Sequence, residues 1–595
     1  MASFSWATNV SGDWNTGTLW IPATVPDSAA ADVTIDAAAT LAPYTVTIAS
    51  GETETVDSLS MNGTNNFVGS NTPGNYVAAE LELDGTLVFA TGSAGAFEGS
   101  LQTYVHESAG ASAAILNVGT LNAFIQAEGT LLLAGTNSVY ISDEIEALAG
   151  TVAIDAPIGN VTGNTLTDGI FAATGAGAVI DLGSASAGQI VNIVTVAALF
   201  GWTELDFDGP TAAINEWSGT HLVSVETTLR DIGAGGTVDI LGGSDYITNN
   251  ALTIDETLGS SFFGAAMLNL QGGTVAIAGG ININEGILQG YGTIASSIVN
   301  HGTVIALGGT INGTLDVTGS LSGTGIVAFD QNASTGSDPT EATLLLNGVS
   351  AGQTITMNDG GDTLILATPV AFAGTIVAGS GARLILQGLT ATAATLNNGT
   401  LVVRNGVQTV AALTLAGSYA GDSFIASGST LTILATPKIS GTAAGQAISD
   451  QQTITPFAAI SIVDTNFAQT ETLTVTLSAT ANGTLTNLGG GTYNATTGVY
   501  TVKGAASAVT AALAGLVFTP TAHQARPGLT VTTGFTVRDI DTASLSATDG
   551  TTTVITTAGT VLPTISGAVA NQAISDQQTI APFSSVVIAD ANFGQ

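Results

Sequence analysis

Apolar and polar residues alternate with a period of two through most of this chain, in short runs that glycine interrupts. In the stretch Leu268-Asn269-Leu270-Gln271-Gly272-Gly273-Thr274-Val275-Ala276-Ile277, the Leu, Val and Ile residues fall on one face and small polar residues on the other. Side chains of a strand point alternately to its two faces, so such runs predict half-buried β-strands. From roughly Thr34 to Thr436 many runs open on Gly-Thr. Gly292, Gly302, Gly313 and Gly323 each precede Thr at spacings of 10, 11 and 10, and Gly119, Gly129 and Gly150 at 10 and 21. The dipeptide also opens runs at Gly85, Gly236, Gly273 and Gly399. A coil of about 20 residues with two or three short strands fits this spacing. Residues 36–436 are therefore expected to form a parallel β-solenoid, with inward apolar ladders and glycines at the corners. About 20 residues per coil predicts on the order of 20 coils and a rod of roughly 100 Å.

The last third follows a different rule. Ile439 to Gln469 recurs as Ile565 to Gln595, an offset of 126 residues. Within that unit, apolar runs at 459–463, 472–477, 499–502, 516–519, 529–537 and 551–555 are separated by polar turns. About seven short strands at this spacing predict a β-sandwich over residues 437–562. The Ala-rich stretch 505–516 has near-helical spacing and predicts one helical turn or crossover. Residues 563–595 are expected to be the truncated start of the next repeat, in an array continuing past Gln595. Residues 1–35 hold Trp6, Trp14 and Trp20 beside Pro22 and Pro26, and are expected to cap the open end of the solenoid.

Composition narrows the function. The chain has 45 acidic residues against 7 Lys plus Arg, a net charge of -38, yet only 9% of residues are charged. Nucleic acid needs clustered basic residues, and the few here are scattered from Arg230 to Arg538, which excludes it as a partner. A membrane-spanning helix needs roughly 18 or more apolar residues. The most apolar stretch, Ile190 to Phe200, is shorter, so no membrane insertion is expected. There is no cysteine, hence no disulfide, thiolate metal site or Cys nucleophile. Met1 to Trp6 lacks the basic and apolar regions of a secretory signal peptide, so an exported chain has either lost its signal or uses another route.

The opening Ser5-Trp6, Gly12-Asp13-Trp14-Asn15, Trp20, Val25-Pro26-Asp27 and Asp32-Val33-Thr34-Ile35 resembles the tryptophan-rich lead-in of large β-helical surface proteins of Gram-negative bacteria. The stretches Leu288-Gln289-Gly290-Tyr291-Gly292-Thr293-Ile294 and Val299-Asn300-His301-Gly302-Thr303-Val304 are similar to the solenoid coils of those proteins. Ala511-Ala512-Leu513-Ala514-Gly515-Leu516-Val517-Phe518-Thr519-Pro520, between Leu473-Thr474-Val475 and Phe535-Thr536-Val537-Arg538-Asp539, resembles the cadherin-like, immunoglobulin-like repeats of giant bacterial adhesins. The resemblance implies an extracellular location, secretion by a type I or autotransporter-like route, and calcium at domain junctions.

Asp464-Thr465-Asn466 recurs as Asp590-Ala591-Asn592, each after a strand, and Asp539-Ile540-Asp541 ends another strand. Hard oxygen donors with no Lys nearby suit Ca2+, so Asp464, Asn466, Asp539, Asp541, Asp590 and Asn592 are the candidate ligands. The alternative is that these residues only cap turns. Asn358-Asp359-Gly360-Gly361-Asp362 is a single approximation to a calcium-binding nonapeptide, and one copy cannot build an ion ladder.

Parallel β-helices also host enzymes acting on polysaccharides, and paired carboxylates are what such chemistry requires. Glu204, Asp206 and Asp208 alternate on one strand face, as do Glu144 and Glu146 beside Asp143; solvent exposure is the simpler explanation. His106, His221, His301 and His523 show no metal-ligand spacing. Trp14, Trp20, Trp202 and Trp217 are candidates to stack on sugars, against a packing role for the first two.

The expectation is a secreted, non-enzymatic bacterial cell-surface protein, an adhesin or a biofilm or fibre component presenting an extended β-rod. It would self-associate, or meet surface glycans or host and abiotic surfaces. The rivals are a surface-layer or filament subunit assembled through Ca2+ and a polysaccharide-acting β-helix enzyme.

Overall fold

The alternation becomes ladders of parallel strands in a computed structural model. It describes residues 2–7, 10–36, 44–62, 79–89, 96–99, 104–122, 124–183, 189–195, 203–257, 264–308, 313–329, 341–357, 361–466, 469–592 and 594. The chain is mostly β, with many parallel strands in large sheets. Among the described residues no helix is long and apolar enough to cross a membrane.

Two compact units are present: 1–378 with 383–417 and 426–431, and 432–595 with 379–382 and 418–425. In the first, one inward position is stacked from strand to strand as Val46, Leu81, Val105, Ile125, Ile145, Phe171, Leu205, Val238, Leu268, Leu288, Val304, Val327, Ile355 and Ile376. Every one of these side chains is fully buried. A branched or aromatic side chain at each level fills the space above its predecessor, and hydrophobic burial along the column holds the stack in register.

The spacing departs from the regular coil that the Gly-Thr pattern predicts. Ile125 and Ile145 stand one expected coil apart, but Leu288 reaches Val304 sooner, and Phe171 reaches Leu205 only after a much longer segment. Segments of different length therefore connect strands that pair in parallel with their apolar positions aligned.

Glycine is required where strands pass closely. Gly290 sits at φ +132°, and a Cβ there would run into the carbonyl oxygen of Leu270 on the neighbouring strand. Buried polar side chains act as internal fasteners. Asn160, fully buried, accepts from the Ile141 amide at 2.7 Å and donates to the carbonyls of Ile141, at 2.5 Å, and Asp168, at 3.0 Å. Asn160→Ala strands those backbone groups and should cost about 2 kcal/mol, read as a lower denaturation midpoint with an unchanged slope.

The amino-terminal residues belong to this unit. Ala2–Trp6 pairs parallel with Ala31–Asp36, and Gly12–Asp13 pairs parallel with Tyr44–Ile48. Trp14 and Trp20 are buried, and Trp20 meets Trp6 and Trp14 edge-on at 4.7 and 4.8 Å between ring centroids.

The second unit centres on a sheet containing Glu471–Leu477, Val499–Gly504 and Thr530–Ile540, all antiparallel. Two-stranded pairs and one helix accompany it. The helix runs Ala506–Ala514, inside the stretch 505–516 that the sequence predicts. Its Val509 and Leu513 pack with Phe457, Leu473, Val475, Phe518 and Phe535 in one apolar cluster.

The second copy of the repeat keeps the local bonding of the first. Gln446 donates to Pro456 carbonyl and Gln572 to Pro582 carbonyl, both at 2.9 Å. Its apolar side chains differ in exposure: Phe457 is fully buried, whereas its counterpart Phe583 is 77% exposed.

Candidate functional site

The inward row of Glu471–Leu477 reads Leu477, Val475, Leu473 and then Glu471; that of Thr530–Ile540 reads Phe535, Val537 and then Asp539. At one end of the core, then, two carboxylates occupy positions that the alternation reserves for apolar side chains. Both are fully buried, and among the described residues no hydrogen bond of good geometry reaches any of their four oxygens. Asp464, just after the strand Ser461–Val463, faces them with its Oδ2 also buried and unpaired. Among the described residues, no Lys or Arg makes an ion pair with these groups.

Carboxylates facing one another can hydrogen-bond only if one keeps its proton. Burial, then Asp539 and Asp464, push Glu471 up to about 9. Burial likewise raises Asp464 and Asp539. The cluster therefore holds negative charge that either protons or a cation must neutralise. Among the described residues no three such side chains already stand in ready-made metal-ligand geometry. Ca2+ takes carboxylate oxygens in flexible arrangements, and the buried oxygens of Glu471 and Asp539 are donors of that type.

The other candidate ligands do different work. Asp541 accepts from the Leu545 amide at 2.7 Å and lies 3.4 Å from the Asn466 amide nitrogen. Asn466 clamps the segment entering the repeat, accepting from Ala435 N at 2.8 Å and donating to Ala435 carbonyl at 2.7 Å. Asn592 grips Val561 in the same way, at 2.9 and 2.7 Å. Asp590 is exposed and accepts from the backbone amide of Asn592 at 2.9 Å. The structure thus brings Asp464, Asp539 and Asp541 together, adds Glu471, and places Asn466 at the margin as a fastener.

Glu471 was legible: an acid in phase with Leu473, Val475 and Leu477. Asp239 was not. It stands on Gly236–Leu241, a different strand from that of Asp206, and only the parallel register stacks it between Asp206 and Asn269. Glu204, Asp206 and Asp208 share the outer face of Thr203–Asp208. Burial and then Asp239 push both Glu204 and Asp206 up to about 8. Burial, with Glu146 and Asp143, lifts Glu144 to about 7. Oδ1 of Asp206 and Oδ1 of Asp239 are buried without a partner among the described residues.

His106 lies 3.5 Å from Glu128 and His523 3.6 Å from Asp450, and the histidines do not converge. Trp14 and Trp20 are packed inside, while Trp217 is half-buried. Trp202 and Asn358-Asp359-Gly360 lie outside the described residues. Comparison with family models, curated proteins and solved structures finds no match to this chain.

Proposed function

We propose that this chain is a secreted, non-enzymatic structural protein of the bacterial cell surface, an adhesin or a biofilm or fibre component. In this reading residues 36–436 form a parallel β-solenoid capped by residues 1–35, and residues 437–562 form an immunoglobulin-like, cadherin-like sandwich that Ca2+ stiffens. The observation that carries it is the buried column from Val46 to Ile376. Its registers persist although the intervening segments differ in length, short from Leu288 to Val304 and far longer from Phe171 to Leu205, so stacking, not any one loop, is what the sequence maintains. A scaffold of this kind presents weak contacts many times over and gains avidity without a single strong site.

Ca2+ would be held by Glu471, Asp539 and Asp464 with Asp541 beside them, and would supply the positive charge that this end of the core lacks. Electron microscopy of the full chain with Ca2+ tests the reading. Isolated rods support an adhesin, ordered sheets or fibres favour a surface-layer or filament subunit, and particles with no elongated dimension overturn the solenoid.

The Glu204, Asp206 and Asp239 stack supports a second reading, action on a polysaccharide, because carboxyls that stay protonated near neutral pH serve as general acids. Release of oligosaccharide from bacterial or plant glycans, lost in Glu204→Gln, would replace the first reading with this one.

A further inference from the structure

Thr53–Val56 is a terminal strand of an eight-stranded sheet and pairs parallel with Thr86–Phe89. Its inward positions are Glu54 and Val56, and Glu54 is in register with the core residue Leu87. An acid therefore stands where the ladder calls for an apolar side chain, and it is only 2% exposed. It points at the amino-terminal segment. Asn15 donates its side-chain N–H to Glu54 Oε1 at 2.8 Å, while Oε2 is buried with no partner among the described residues.

The same segment is tied to Thr53–Val56 on one side of this contact and to Tyr44–Ile48 on the other. Asp27 Oδ1 accepts from the Thr55 amide at 3.0 Å, and Ser28 donates its amide to the Thr55 carbonyl at 2.7 Å. The Trp14 amide reaches the Thr47 carbonyl at 2.8 Å, and the Asn15 amide is held by Asp13 Oδ1 at 2.8 Å. The titratable groups acting on Glu54 are Asp13 and Asp27 from the amino-terminal segment and Glu52 from its own strand's entry; all are acidic.

We propose that Glu54 is a proton-dependent clasp: uncharged, it holds residues 12–28 against the first strands of the ladder, and on losing its proton it lets that segment go. An ionised Glu54 would be a buried charge among three like charges, with only the Asn15 N–H to offset it. Burial is the largest influence and lifts the group from 4.5 to about 7. The sign follows. In the closed state the group keeps its proton up to about pH 7; in the open state it gives it up near 4.5. Closure is thus favoured at low pH and weakens as pH rises between those values. What the clasp guards is the row of backbone groups on Tyr44–Ile48 and on the outer edge of Ala2–Trp6, which pair with Gly12–Asp13 and Trp20–Ile21 and would otherwise be open strand edges. The proposal does not depend on the surface-protein reading or on the carboxylates of the second unit.

Hydrogen exchange on the full chain tests it, with rates corrected for the intrinsic effect of pH. Between about pH 5.5 and 8.5 the protection of the Trp14 and Ser28 amides should fall about 30-fold, the ratio implied by pKa values of 4.5 and 7. Amides within 268–277 should hold their protection. Glu54→Gln keeps the acceptor for Asn15 without the charge and should abolish the fall; Glu54→Met, which suits the apolar position, should abolish it too if the Gln variant folds poorly. Unchanged protection in the native chain, or a fall that persists in either folded variant, overturns the clasp. So does recovery at pH 8.5 on adding Ca2+, since that would make a cation the occupant instead of the proton.

Discussion

Chelating Ca2+ with EGTA should lower the melting temperature of the unit that contains residues 432–595 by roughly 5–10 °C. A ligand that binds only the folded state at about 100 times its dissociation constant adds about 2.7 kcal/mol. For a unit of this size each kcal/mol moves the midpoint by roughly 2–4 °C. The basis is the end of the core where Glu471 and Asp539 stand fully buried with no strong hydrogen bond among the described residues and Asp464 faces them. Unpaired buried carboxylates cost stability, so this end is held in place either by protons or by a cation.

The double variant Glu471→Gln with Asp539→Asn separates a metal site from a structural one. It should lose the response to Ca2+ and, in EGTA, melt higher than the native chain, because amides supply the N–H donors that the carboxylates lack. Scanning calorimetry of the full chain, following the transition that moves with Ca2+, reads both effects. A native melting curve that is the same with and without the chelator would remove Ca2+ from the proposal.

The parts of the molecule differ in how far local sequence revealed them, and the reason is the range over which each is specified. The strand Met267–Ile277 was legible because alternation is a property of neighbouring residues. The turn spacing was not, since the segments between stacked strands carry no register of their own: Leu288 meets Val304 after a short segment and Phe171 meets Leu205 after a far longer one. At the acidic end of the repeat, Asp464, Asp539 and Asp541 stood out as acids at strand ends. Glu471 lies in phase with Leu473, which marks it as inward. Asn466 was visible as a polar residue after a strand, but its role depends on Ala435, which belongs to the segment before the repeat. Local pattern thus identifies which residues are anomalous, and only the pairing of distant strands identifies what they face.

That distinction bears most directly on Asp206 and Asp239, where two unremarkable outward acids become a problem by stacking. Burial and the neighbouring Asp239 push Asp206 from its ordinary 3.8 up to about 8. The folded state therefore holds a proton that the unfolded chain releases near pH 4. The group costs nothing below that value, and its cost grows until about pH 8, where the folded form ionises as well. Allowing for partial exposure, the full penalty is about 2–4 kcal/mol. Asp206→Asn with Asp239→Asn should accordingly leave stability unchanged near pH 4 and raise it by about that amount at pH 8.5, because each new amide N–H would then face the other's side-chain oxygen or Glu204 in place of a like charge. Comparing variant with native chain at each pH cancels the general repulsion of a chain of net charge -38. Denaturant melts at the two pH values are sufficient. A gain of the same size at both would mean that the substitutions act through packing and that the stack carries no proton-linked cost. A gain confined to high pH would instead show that this face keeps a destabilising pair of acids, which is the pattern expected of groups retained for binding or catalysis and not for the fold.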